Sequence, residues 1–153
     1  MTDEEKYRYM NLLIEGQLKT EDDIIANLSN ISAIIKSAID RVNWAGFYLL
    51  KDDELVLGPF QGLAACCRIK LGEGVCGTAA LNNMIQVVDD VHKFDGHIAC
   101  DSASNSEIVI PITKNGKLFG VLDIDSPEFK RFGELEETYF TKAVEIMIEN
   151  LNI

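Results

Sequence analysis

The sequence has no basic patch, no long apolar run and no charged, apolar leader at its N-terminus. Lys and Arg number 14 against 25 Asp and Glu, a formal net charge of −11 with a pI near 4.5. That balance repels phosphate backbones and anionic lipid, so neither nucleic acid nor a membrane surface is an expected partner. No window approaches the roughly 18 apolar residues of a membrane span. Met1-Thr2-Asp3-Glu4-Glu5 also lacks the features of a secretory signal, which points to a cytoplasmic protein. Histidine is scarce, only His92 and His97, and no C-x-x-C or H-x-x-x-H pair preorganises a zinc site. A metal would have to gather His92, His97, Cys100 and Cys76 from separated positions, so none is expected. Repeats, linkers and low-complexity stretches are missing as well. The 153 residues, 47% hydrophobic, are read as one domain over 1–153.

What is present is a change of periodicity along the chain. Thr2-x-x-Glu5 has the form of a capping box, and a first helix is expected to about Lys19. Thr20 is expected to cap a second, whose apolar stripe runs through Ile24, Ile25, Leu28, Ile31, Ile34, Ile35, Ala38, Ile39 and Val42. From Trp44 short β-rich runs follow at 44–50, 55–60, 65–71, 85–89, 108–113 and 118–125, separated by turn residues such as Asp52-Asp53 and Asn115-Gly116. A short helix is expected around Cys76, a long polar loop over 94–106, and a last amphipathic helix over 134–151. The fold class is therefore α+β, a mostly antiparallel sheet with N- and C-terminal helices packed on it.

Four cysteines in a chain without a secretory signal suggest buried packing, a metal site or redox chemistry rather than a disulfide scaffold. In a strand over 65–71, Cys67 shares a face with Ala65, Ile69 and Leu71 and is expected in the core. Cys66, beside Arg68 and Lys70, is expected on the reactive side, where cations favour a thiolate. Cys76 falls at the start of the short helix, where free amides and the dipole would lower a thiol pKa; simple burial is the other reading. Cys100, in His97-Ile98-Ala99-Cys100-Asp101, lies on the long loop, a setting suited to a nucleophile. His97 is either its proton acceptor or a loop hydrogen-bonding group.

Asp123 and Asp125 share a face of an otherwise apolar strand, and either end that strand in solvent or serve a site. Paired carboxylates raise one another's pKa, so one can stay protonated as an acid while the other holds a cation. Where Glu107 stands depends on the hairpin turn. A two-residue Asn115-Gly116 turn places Glu107 opposite Ile124 and away from the aspartates, whereas a three-residue turn places it opposite Asp123 and groups all three acids. The pattern leaves both open.

The segments Asn43-Trp44-Ala45-Gly46-Phe47-Tyr48, Leu57-Gly58-Pro59-Phe60-Gln61-Gly62, Ala65-Cys66, Gly72-x-Gly74-Val75-Cys76-Gly77-Thr78-Ala79, Asp95-Gly96-His97-Ile98-Ala99-Cys100-Asp101, Ser104-Asn105-Ser106-Glu107 and Gly120-Val121-Leu122-Asp123-Ile124-Asp125-Ser126 together resemble the free methionine-R-sulfoxide reductases. These are stand-alone GAF-domain enzymes. The resemblance runs from about Trp44 to Ser126. It implies reduction of the free amino acid's R-sulfoxide, a repair reaction in oxidative stress, with Cys100 as catalytic cysteine and Cys66 and Cys76 resolving and recycling it. It further implies that Glu107, Asp123 and Asp125 hold the substrate and polarise its sulfoxide, with Trp44 and Tyr48 around the methyl end. By grouping the acids it favours the three-residue turn. No bound cofactor is implied; thioredoxin is the implied external reductant, and a homodimer is implied, with the long N-terminal helix as the candidate interface. Cys67 departs from the family, which usually has an apolar residue there. The alternative is a ligand-binding GAF sensor whose cysteines report redox state without turnover.

Overall fold

The computed structural model describes residues 1–96 and 103–153. The capping box forms as expected: the Glu5 amide donates to Thr2 Oγ1 and the Thr2 amide to Glu5 Oε1, both at 3.1 Å, and helix α1 runs Asp3–Thr20. Helix α2, Ile24–Ala38, is capped not by Thr20 but by Asp23, whose carboxylate accepts from the Ala26 amide at 2.9 Å. Thr20 instead turns its hydroxyl back onto the Gly16 and Gln17 carbonyls of its own helix. Asp23 wins because it stands directly before the first helical residue, where a side-chain oxygen reaches the free amides.

Six strands follow: β1 Trp44–Lys51, β2 Glu54–Gln61, β3 Arg68–Lys70, β4 Gln86–Val88, β5 Ser106–Lys114 and β6 Lys117–Ser126. They form one sheet in the order β3-β2-β1-β6-β5-β4, every neighbouring pair antiparallel. Helix α3, Gly74–Asn82, lies between β3 and β4, and α4, Glu134–Asn150, closes the chain. Strand alternation sorts the core into two layers. Ala45, Phe47, Leu49, Ile108, Ile110, Ile112, Leu122 and Ile124 face the apolar stripes of α2 and α4, with α1 packed across those two helices. The odd-numbered partners, Val109 and Val121 among them, face α3 together with Trp44 and Tyr48. Fully burying a large apolar side chain contributes about 1.5–3 kcal/mol, so the helical layer, with more such side chains, anchors the fold. The α3 side is the thinner one.

The β5–β6 hairpin settles where Glu107 stands. Lys114 pairs with Lys117, and Asn115 and Gly116 both have positive φ (53° and 77°), so the turn is the two-residue kind. The three-residue turn is not formed. Yet the register slips between Ile112 and Thr113, because Phe119 is an extra, unpaired residue on β6. This β-bulge moves every later pair by one, and Glu107 ends opposite Asp125 rather than Ile124. The acids share a face through a bulge, not through the turn.

Candidate active site

The α3 face of the sheet carries the candidate side chains. Asp123 and Asp125 project from β6, and Glu107 from β5 beside Asp125; all three are at least nine-tenths buried. Across β6, Asp123 lies opposite Gly46 and Asp125 opposite Trp44 on β1. Gly46 is required there, since a Cβ would run into the backbone and Cβ of Phe60 on β2. Its absence lets Phe60 stack on Trp44 at 5.1 Å between ring centres, while Tyr48 stacks on Trp44 at 5.9 Å. The three rings form one aromatic row along the acids. The Trp44 indole donates to the Leu63 carbonyl (3.1 Å), and the Tyr48 hydroxyl to the Cys66 carbonyl (2.9 Å).

Helix α3 brings Cys76 over the acids, its thiol 3.9 Å from Glu107 Oε2. Of the two readings of Cys76, a thiol acidified by the helix start and a simply buried residue, the structure favours the buried one. Burial, and then Asp123 and Glu107 nearby, push the thiol well above its ordinary value. A helix dipole offers a fraction of a charge at the surface, and here it is outweighed by loss of water and adjacent carboxylates.

Burial also raises Asp123 and Asp125 well above the carboxylate range, reinforced by Asp125 and Glu107 for the first and by Glu107 for the second. No ion pair reaches the three acids among the described residues. Asp125 Oδ2 accepts from the Ser104 hydroxyl at 3.3 Å, and that hydroxyl accepts from the Asn43 side-chain amide at 3.1 Å. Asp123 Oδ1 and Asp125 Oδ1 are buried with no donor among the described residues. Acids this crowded share protons and leave acceptors open for a cationic or donor-rich ligand.

Of the sequence candidates, the structure thus brings together Glu107, Asp123, Asp125, Cys76, Trp44 and Tyr48, with Cys66 half-buried at the edge of the same apolar cluster. Cys66 is held in a disulfide, whereas Cys67 and Cys76 are free thiols. Cys67 is exposed rather than in the core. Regular strand begins only at Arg68, so alternation extrapolated back through Cys67 and Cys66 no longer applies. His97 and Cys100 lie outside the described residues. His92 is exposed, its ring Nε2 2.9 Å from Asn105 Oδ1. Phe60, Asn43 and Ser104 were not singled out by sequence reasoning. A second register shift, between Gly46 and Tyr48, sets Phe60 opposite Gly46, and Ser104 belongs to no periodic element.

The sequence profile of the GAF domain matches residues 26–147. The free methionine-R-sulfoxide reductase of Escherichia coli is 52% identical over 137 residues, covering 90% of this chain and 83% of the relative. The Staphylococcus aureus fRMsr in complex with substrate superposes with a TM-score of 0.90 at 47% identity, covering 95% of each chain. The free methionine-R-sulfoxide reductase of Neisseria meningitidis, also in complex with its substrate, gives 0.91 at 43% identity, covering 94% of this chain and 87% of that one. High identity over nearly the whole chain, on a sheet that buries three acids beside an aromatic row, carries the conclusion: this chain belongs to the GAF-domain family of free methionine-R-sulfoxide reductases, an oxidoreductase family.

Proposed function

We propose that this chain reduces free L-methionine (R)-S-oxide to L-methionine, with Cys100 as nucleophile, Cys66 closing a disulfide, and thioredoxin restoring both thiols. The observation that carries the reading is the set of three buried acids with open carboxylate oxygens beside stacked aromatic rings. A free amino acid has an ammonium group for an ionised carboxylate, a sulfoxide oxygen for a protonated one and an S-methyl for an aromatic wall. A methionine within a protein has no free ammonium, so the acids favour the free amino acid.

The Cys100 thiolate attacks the sulfoxide sulfur while a protonated member of Glu107, Asp123 and Asp125 donates to the oxygen. The sulfur–oxygen bond of the substrate breaks, methionine leaves reduced, and Cys100 carries the hydroxyl as a sulfenic acid. The Cys66 thiol displaces that hydroxyl as water, forming a disulfide, and the thioredoxin dithiol reduces it by exchange. Two observations support Cys66 ahead of Cys76 as the first resolving group. Cys76 is held protonated by burial and the carboxylates, which makes it a slow nucleophile near neutral pH. Cys66 is the cysteine carried in a disulfide while Cys67 and Cys76 are free. Cys76 is left for recycling, and a reducing cytoplasm suits the thiol cycle. A homodimer through the outer face of α1, where Tyr9, Leu12 and Leu13 are exposed, completes the proposal; light scattering giving only monomer removes that part.

The test is NADPH consumption with thioredoxin and its reductase on free R- and S-methionine sulfoxide and a sulfoxide-containing peptide. Turnover of the free R epimer alone, lost in Cys100→Ser, is the expected result. Binding without turnover on any substrate would instead establish a sensor.

A further inference from the structure

Cys76 Sγ and one oxygen each of Glu107 and Asp123 lie within 4.8 Å of one another, and all three residues are at least nine-tenths buried. Around a tetrahedral zinc ion, bond lengths of about 2.3 Å to sulfur and 2.1 Å to oxygen put neighbouring ligand atoms about 3.6 Å apart. The observed 3.9 Å between the thiol and Glu107 Oε2 needs little adjustment to reach that spacing. Asp123 Oδ1 and Asp125 Oδ1, both buried without a donor among the described residues, leave acceptors at this spot that a cation would satisfy. One thiolate and two carboxylates suit a borderline-soft divalent ion and not magnesium or calcium, which take oxygen alone.

We propose that Cys76, Glu107 and Asp123 bind zinc or a similar thiophilic divalent cation, and that the occupied site excludes the substrate. The proposal rests on the reductase reading, since it assigns these acids to the substrate's ammonium and sulfoxide. Binding is not redox chemistry: the metal–sulfur bond replaces the S–H bond of Cys76, and that proton passes to solvent with any proton shared by the acids. Metal and amino acid then compete for the same carboxylate oxygens, and thiol reduction stops while the cation is bound.

Cobalt(II) is the probe, titrated without oxygen into the reduced, desalted full-length protein. One equivalent should produce a thiolate-to-cobalt charge-transfer band that zinc displaces and saturating free methionine suppresses. Cys66→Ser, Cys67→Ser and Cys100→Ser should keep the band, and Cys76→Ser should lose it. Because Cys100→Ser cannot turn over, this arm decides the metal site whether or not the protein is a reductase. If Cys76→Ser fails to fold, Glu107→Gln decides, with affinity falling by no less than the roughly 10–100-fold typical of losing a ligand's supporting partner. In the wild type, zinc should raise the half-saturating concentration of the R-sulfoxide and leave the limiting rate unchanged in single-turnover methionine release, which needs no thioredoxin. No band in the wild type, or a band that survives Cys76→Ser and vanishes with another cysteine, overturns the site. A band unaffected by methionine overturns the exclusion.

Discussion

Burial and the neighbouring acids make the charged forms of Asp123 and Asp125 more costly in the folded chain than in the unfolded one. Their folded pKa values are raised, so the stability they contribute is present below the ordinary carboxylate range and is lost as pH rises through the raised values. Asp123→Asn removes this opposition and supplies a donor to Asp125 and Glu107. It is expected to stabilise the protein by about 1–3 kcal/mol near neutral pH, more at about pH 8 than at about pH 5, while abolishing turnover. Thermal melts of both proteins across that range check the sign. Ser104→Ala takes away the hydroxyl that donates to Asp125, which normally lowers that carboxyl's pKa. A loss of about 1 kcal/mol is expected, with the acid limb of the rate profile moved to higher pH. An unmoved limb would show Ser104 to be purely structural.

At the scale of elements, the bulge at Phe119 governs the site. Deleting Phe119 removes the unpaired residue and leaves every other pair as it stands, Glu107 opposite Asp125 included, so the acids stay grouped. Inserting one residue after Phe119 instead turns Asp123 and Asp125 into the helical layer or Leu122 and Ile124 out of it, so loss of activity with more than about 3 kcal/mol of destabilisation is expected. Denaturant titration and the coupled assay measure both. The same element marks where the sequence is legible. The β-rich run read from Trp44 forms β1, and the capping box opens α1 as expected. A bulge leaves no periodic trace, because one extra residue looks like part of the strand. The grouping of the acids was therefore reached through family resemblance, and by way of a turn that does not form. Cys67 was misplaced because β3 is only three residues long, so its pleat does not extend to the cysteines.

Across the molecule, one buried ionic network ties the helical layer to the sheet. The Tyr7 hydroxyl on α1 donates to Glu136 on α4 at 2.7 Å, and Arg131 lies 3.4 Å from Glu136. Arg131 also donates to the Asp40 carbonyl (3.1 Å), and its amide to the Ser106 hydroxyl at the start of β5 (3.3 Å). Burial pushes Glu136 up, but the Gly133 amide, Tyr7 and Arg131 together hold it below its ordinary value. Its contribution is thus present above the unfolded pKa and lost as pH falls through the folded one, opposite in sign to that of the site acids. Arg131→Ala leaves Glu136 buried without its cation and should cost about 3–5 kcal/mol, read as a lower denaturant midpoint at unchanged m-value.

Trp44 is the single tryptophan of the sequence, and it stacks on both Phe60 and Tyr48 on the face that carries the buried acids. Light absorbed selectively by indole is therefore re-emitted from one place in the molecule. Without any attached dye, the intensity and colour of that emission form an optical gauge of whether the pocket is empty, filled or oxidised.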